Sequence, residues 1–175
     1  MKNIIVFKGD ITNLNVDIIV NAANETLLGG GGVDGVIHRK AGKELLEECK
    51  KLNGCNTGEA KMTNAYRLPC DKIIHTVGPI YRDGQYNEKQ LLESCYKNCI
   101  KLAKEYQKEN KLNIVKIAFP CISTGVYRFP KDLACEIAVN TIKKIIDDNI
   151  VVVFVCYEEI DYQLYMKEVH NIEID

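Results

Sequence analysis

Residues 114–156 read IVKIAFPCISTGVYRFPKDLACEIAVNTIKKIIDDNIVVVFVC, and this stretch decides the fold. Ile114 to Phe119 is a short, apolar, β-rich run closed by Pro120. Pro130 stands where proline is favoured at a helix start, because the N–H it lacks would have no partner there. Behind it Ile137, Ala138, Thr141, Ile142 and Ile145 recur on one helical face. Ile150 to Cys156 is a second apolar run, and an unbroken one. Unbroken runs mark strands covered on both faces, and a helix between two of them implies a parallel pair.

The same alternation extends in both directions. Asn3 to Phe7, Asp17 to Asn21, Glu59 to Arg67 and Lys72 to Val77 read as strands, the second carrying Ile18-Ile19-Val20. Val33 to Leu52 reads as one helix, broken at Asn53-Gly54. Asn87 to Asn110 reads as another, with Asn87 and Gln90 as an N-terminal capping pair. Its apolar face runs through Leu92, Cys95, Tyr96, Cys99, Leu102, Ala103 and Tyr106. Asp161 to His170 is a last helix. The expected fold is an α/β, three-layer αβα sandwich with a mixed, mostly parallel central sheet, one domain over residues 1–175.

Composition narrows the function. The 175 residues are 46% hydrophobic and 27% charged, and 23 Lys and Arg against 24 Asp and Glu leave a net charge of −1. Without a basic excess, binding of a nucleic-acid backbone is disfavoured. Ile4 to Phe7 is too short for a signal-peptide core, and no stretch approaches the roughly 20 apolar residues that span a bilayer. A cytoplasmic monomer, off the membrane, is expected. The 8 cysteines form no CxxC pair and the 3 histidines are scattered, so reduced thiols, no metal and no cofactor are expected.

Ligands on such sheets collect at the carboxyl ends of the strands. Two loops fall there, Asn21 to Gly35 and Pro120 to Pro130. In the first, Gly29-Gly30-Gly31-Gly32-Val33-Asp34-Gly35 leads into a helix, whose N-terminus favours an anion. The spacing satisfies GxGxxG formally, but Ala22 to Leu28 separate it from its strand, which argues against a Rossmann site; a P-loop is absent. In the second, successive N–H groups of Ile122-Ser123-Thr124-Gly125-Val126-Tyr127 suit an anion nest. Two such nests side by side fit a diphosphate. Asp10 reads either as an acceptor for an exocyclic amine or as a turn residue, and Tyr157 either as a base-stacking ring or as a packed strand end.

Gly9-Asp10-Ile11-Thr12, Val20-Asn21-Ala22-Ala23-Asn24, Gly29 to Gly35 with Ile37-His38, Ile74-His75-Thr76-Val77-Gly78-Pro79, and Ile122 to Tyr127 together resemble a macrodomain of the MacroD type. The nearest likeness is to bacterial O-acetyl-ADP-ribose deacetylases, over essentially the whole chain. The resemblance implies ADP-ribose and O-acetyl-ADP-ribose as ligands and mono-ADP-ribosylated proteins as partners. Asp10 and Ile11 would then hold adenine, with Tyr157 stacked on it. Ser123, Thr124, Gly125, Val126 and Tyr127 would wrap the diphosphate, and Gly32 and Val33 would border the distal ribose. Asn24 would bind that ribose, and Asp34 would orient or deprotonate a water. His38 and His75 are read as structural. The implied activity is hydrolysis of ADP-ribosyl esters, with a non-catalytic ADP-ribose reader as the alternative. Arg128 departs from the family's usual glycine; it is expected on the rim, without a positive φ.

Overall fold

The apolar runs become strands of one sheet in a computed structural model that describes residues 3–171. They are β1 (Ile4–Lys8), β2 (Ile18–Ala23), β3 (Ala60–Asn64), β4 (Lys72–Val77), β5 (Val115–Phe119) and β6 (Ile150–Cys156). The helices are α1 (Gly32–Ala41), α2 (Lys43–Lys51), α3 (Glu88–Glu109), α4 (Lys131–Ile145) and α5 (Glu159–His170), with a 3-10 turn at Ile11–Asn13. The outermost positions of the expected 1–175 domain lie outside the described residues.

The spatial order is β1-β6-β5-β2-β4-β3. Every neighbouring pair is parallel except β3 with β4. The expected mixed, mostly parallel sheet is thus observed. β2 and β5 lie side by side, with Ile18 opposite Ile117, yet the chain leaves β2 towards β4 and leaves β5 towards β6. Such a divergence opens a crevice at the carboxyl ends.

The pleat sorts the core into two layers. Ile18 and Val20 pack with Ile74, Leu92, Tyr96 and Phe119 on the α3, α4 and α5 side. Ile19 and Ala23 pack with Ile37, Ala41, Leu45 and Ile73 under α1 and α2. The edge strand β1 is covered on one face only, so Ile4 is buried while Ile5 and Phe7 are exposed.

Three local expectations are corrected. The segment 33–52 is two helices, because Gly42 at φ 95 closes α1 on the His38 carbonyl and opens α2. Asn87 makes no side-chain cap; it sits in the left-handed region at φ 60. Glu88 takes over, accepting N–H groups from Arg82 (3.0 Å), Gly84 (2.9 Å) and Tyr86. Burial works to raise the Glu88 carboxyl, but these donors outweigh it and hold it down to about 2. Pro130 precedes α4 rather than opening it, since its ψ of 128° is extended. Among the described residues, no helix is long and apolar enough to cross a membrane.

Phe119 anchors the larger layer, its ring 5.1 Å from Tyr96 and 6.1 Å from Phe154. Truncation to alanine leaves a cavity as well as lost transfer energy. Phe119→Ala is expected to lower unfolding free energy by about 3–5 kcal/mol, read from urea denaturation.

Candidate functional site

The loop after β2 is shaped by Asn24. Its Oδ1 accepts the Thr26 N–H at 3.1 Å and the Thr26 hydroxyl, and its Nδ2 donates to the Gly29 carbonyl at 3.0 Å. The turn delivers Gly30 to a point where two side chains meet. A Cβ built there would lie 3.1 Å from Asp34 Oδ2 and 3.3 Å from Asn24 Nδ2. Any side chain at 30 would therefore wedge between the expected catalytic pair. Asn24's acceptor is spent on Thr26, so toward a ligand it offers one amide proton.

Asp34 sits in the first turn of α1, where a helix N-terminus favours negative charge. It is buried. Burial raises its carboxyl above the ordinary 3.8, against the Asn21 hydrogen bond and the nearby His38 ring. Oδ1 accepts from Asn21 Nδ2 at 2.8 Å and lies 3.4 Å from His38 Nε2. Oδ2 is left on the Gly30 side. Gly32 and Val33 precede it on the same turn, Gly32 exposed and Val33 half-buried.

Asn21 flanks the glycine run as a polar side chain expected near the ligand, His75 was expected to be structural, and the structure joins both to Asp34. β2 continues to Ala23, which carries Asn21 into the sheet interior, fully buried opposite His75. The signal lay in the sequence: an amide following Ile18-Ile19-Val20 must find buried partners.

The second loop turns back on itself. Phe129 N–H donates to Ser123 O at 2.9 Å, Arg128 N–H to Gly125 O at 3.0 Å, and the Thr124 hydroxyl to Cys121 O at 2.9 Å. Among the described residues, no backbone N–H from Ser123 to Tyr127 is donated to a protein acceptor. Gly78 at the end of β4 carries the loop: a Cβ there would fall 2.2 Å from Ser123 Oγ. Tyr81 braces it from outside, donating its N–H to Tyr127 O at 2.8 Å while its ring lies 4.9 Å from Phe129.

The remaining expected residues ring the same edge. Asp10 follows β1 and caps the 3-10 turn, accepting the Thr12 N–H at 2.9 Å and the Thr12 hydroxyl at 2.6 Å. The Thr12 hydroxyl foremost, with Lys40 at 3.1 Å, holds its carboxyl below the usual value. The turn role is therefore filled. Ile11 is buried in the α1–α2 layer. Val126 is 90% exposed, and Tyr157, following β6, is 81% exposed rather than packed. No group of three or more metal-ligating side chains occurs among the described residues. An open depression of about 760 Å³ beside α2, near Glu47, Asn64 and Tyr66, lies away from this edge.

The expectation for Arg128 is half corrected. It is exposed, as a rim residue, but its φ is 60°. The turn must reverse within Gly125–Arg128 to return Phe129 to the core, and that forces the left-handed conformation. Arg128→Gly is expected to raise unfolding free energy by about 1 kcal/mol in urea denaturation, since only glycine adopts that region without cost.

A parallel-sheet crevice bordered by a glycine-rich loop, a loop of undonated N–H groups and one buried carboxylate marks an α/β domain with a site suited to an anion. Residues 20–138 match the Macro domain family, and the chain belongs to it. It is 54% identical over 157 residues to a Macro domain-containing protein of Methanosarcina mazei, spanning 88% of this chain and 81% of that one. It is 52% identical to the O-acetyl-ADP-ribose deacetylase of Escherichia fergusonii, over 93% of this chain and 92% of that protein. The Oceanobacillus iheyensis macrodomain, solved with ADP, superposes with a TM-score of 0.86 at 41% identity, covering 95% of this chain and 89% of its own. A mutant of that macrodomain has been solved with ADPR.

Proposed function

We propose that this chain hydrolyses esters on the distal ribose of ADP-ribose, releasing acetate from O-acetyl-ADP-ribose and mono-ADP-ribose from Asp or Glu side chains of proteins. The observation that carries the reading is the convergence of Asp34 Oδ2 and Asn24 Nδ2 on Gly30, beside the undonated N–H groups of the 123–127 loop. The likeness to a deacetylase and to a macrodomain solved with ADP supports it.

The N–H groups of Ser123, Thr124, Gly125, Val126 and Tyr127 hold the diphosphate without a neutralising lysine. Tyr157 supplies a ring for the adenine, and Asp10 with Ile11 forms the wall beside it. Gly32, Val33 and the free amide proton of Asn24 border the distal ribose. A water between Asp34 Oδ2 and the ester adds its oxygen to the carbonyl carbon and gives its proton to Asp34. The ribose oxygen then leaves with that proton. Burial makes Asp34 a better base than an exposed carboxylate. A phosphate oxygen of the ligand is the other group able to hold this water, and removing Asp34 separates the two.

Incubation with O-acetyl-ADP-ribose and with a protein mono-ADP-ribosylated on acidic residues, following free ADP-ribose, tests the reading. Binding without release above the buffer rate identifies a reader instead. Asp34→Ala and Asn24→Ala are each expected to lower kcat on the order of 10²–10⁴-fold. Wild-type turnover in Asp34→Ala would assign the water to the phosphate. Because burial raises Asp34, the acid limb of the wild-type rate profile is expected above pH 3.8, with activity falling as pH drops through it. Calorimetry is expected to show ADP-ribose bound more tightly than NAD, whose nicotinamide occupies the distal anomeric carbon.

A further inference from the structure

A chain of buried polar groups runs from the carboxylate across the sheet, and its hydrogen-bond directions are fixed. Asn21 Nδ2 lies 2.8 Å from Asp34 Oδ1 and 3.1 Å from His75 Nδ1. An amide nitrogen carries two protons and accepts nothing, so both neighbours must be acceptors. His75 Nδ1 is therefore bare, and the ring proton is on Nε2. On that side Nε2 is 2.8 Å from Thr63 Oγ1, whose own proton goes to Asn64 O at 3.0 Å. Donor meets acceptor at every link.

We propose that His75 is a positioning residue for the hydrolysis: its bare Nδ1 fixes the orientation of the Asn21 amide, and that amide aims the Asp34 carboxylate. The inference rests on Asp34 being the base. Without the Nδ1 acceptor, the Asn21 amide is held by Asp34 alone, and rotation by half a turn, exchanging its nitrogen and oxygen, becomes easier. Oδ1 would then face Asp34 Oδ1, lone pair against lone pair, and the carboxylate would lose its only side-chain hydrogen bond among the described residues. Asn21 Oδ1 is buried without a protein partner, so apart from Asp34 itself only His75 fixes the amide.

The groups around His75 keep the ring neutral. Asn21 approaches from β2 and Thr63 from β3, where the Lys61 ammonium is tied to the Leu52 and Gly54 carbonyls. From α2, Cys49 Sγ lies 3.9 Å from Nε2, its thiol pushed up to about 11 by burial. From α1, Asp34 is reached through Asn21, and the His38 ring is centred 6.4 Å away. Burial first, then His38, pushes His75 down to about 3. An imidazolium here would set an N–H against the Asn21 N–H.

The test uses the full chain, labelled with 15N and 13C, in wild type, His75→Leu and His75→Asn. Leucine removes the acceptor; asparagine returns a carbonyl oxygen near the place of Nδ1. The 15N shifts of wild-type His75 are expected to show the Nε2–H form from pH 8 to pH 5. In His75→Leu the 13C titration of Asp34 is expected to move upward. Its kcat on O-acetyl-ADP-ribose should fall about 10–100-fold, the order seen when a partner behind a reacting group is lost, with KM changed far less. His75→Asn should recover most of both. A proton on Nδ1, or a folded His75→Leu with unchanged Asp34 titration and kcat, overturns the proposal. Should His75→Leu not fold, the wild-type 15N spectrum and the His75→Asn titration decide it. Should the wild type release no product, the hydrolase reading fails, while the two titrations still decide whether His75 aims Asp34.

Discussion

The arrangement depends on one constraint of backbone pairing: β2 and β5 run parallel and adjacent while their continuations part in opposite directions. Parallel pairing puts the ends of β1, β2, β4, β5 and β6 on one edge. The parting leaves room between the two loops that begin there. Neither loop could present undonated N–H groups if a neighbouring strand continued alongside to accept them. The interior strands also explain the apolar sequence, since residues covered on both faces cannot alternate.

Within that frame the site divides its labour between backbone and side chains. In the proposed reading backbone dipoles of the 123–127 loop supply the positive potential, which agrees with a net charge of −1. The side chains supply geometry. Asp34 is placed by a helix start, and its two oxygens have different neighbours: Oδ1 is bound into the protein interior and Oδ2 is turned to Gly30. Glu88 does similar work outside the crevice, gathering the 82–86 segment by its backbone. Tyr81, just before that segment, presses on Phe129.

Much of this was legible in the sequence. The bounds of β4 and β6 are those read from Lys72–Val77 and Ile150–Cys156, because Ile150–Cys156 is an uninterrupted apolar run and Lys72–Val77 carries Ile73, Ile74 and Val77 ahead of Gly78-Pro79. Asp34 and the loop residues 123–127 could be singled out because glycine before a helix and small residues after a strand suit an anion, and the family resemblance implied their roles. What escaped was tertiary. Whether a glycine such as Gly42 divides a helical pattern depends on where the next segment must pack. Asn21 could be placed beside the glycine loop, but only the partner strand β4 shows that it is enclosed and paired with His75. Arg128 was misjudged for the opposite reason: a non-glycine residue argues against a left-handed turn, but the need to bury Phe129 prevails.

The 8 cysteines, all free, are distributed through both layers, and all but Cys121 are buried. Cys49, Cys55 and Cys70 lie in the α1–α2 layer, whereas Cys95, Cys99, Cys135 and Cys156 lie in the other. A small alkylating reagent reaches these sulfurs only when the layer above them lifts. The thiols are thus a set of internal clocks, and the order in which they become labelled would report which side of the sheet opens first.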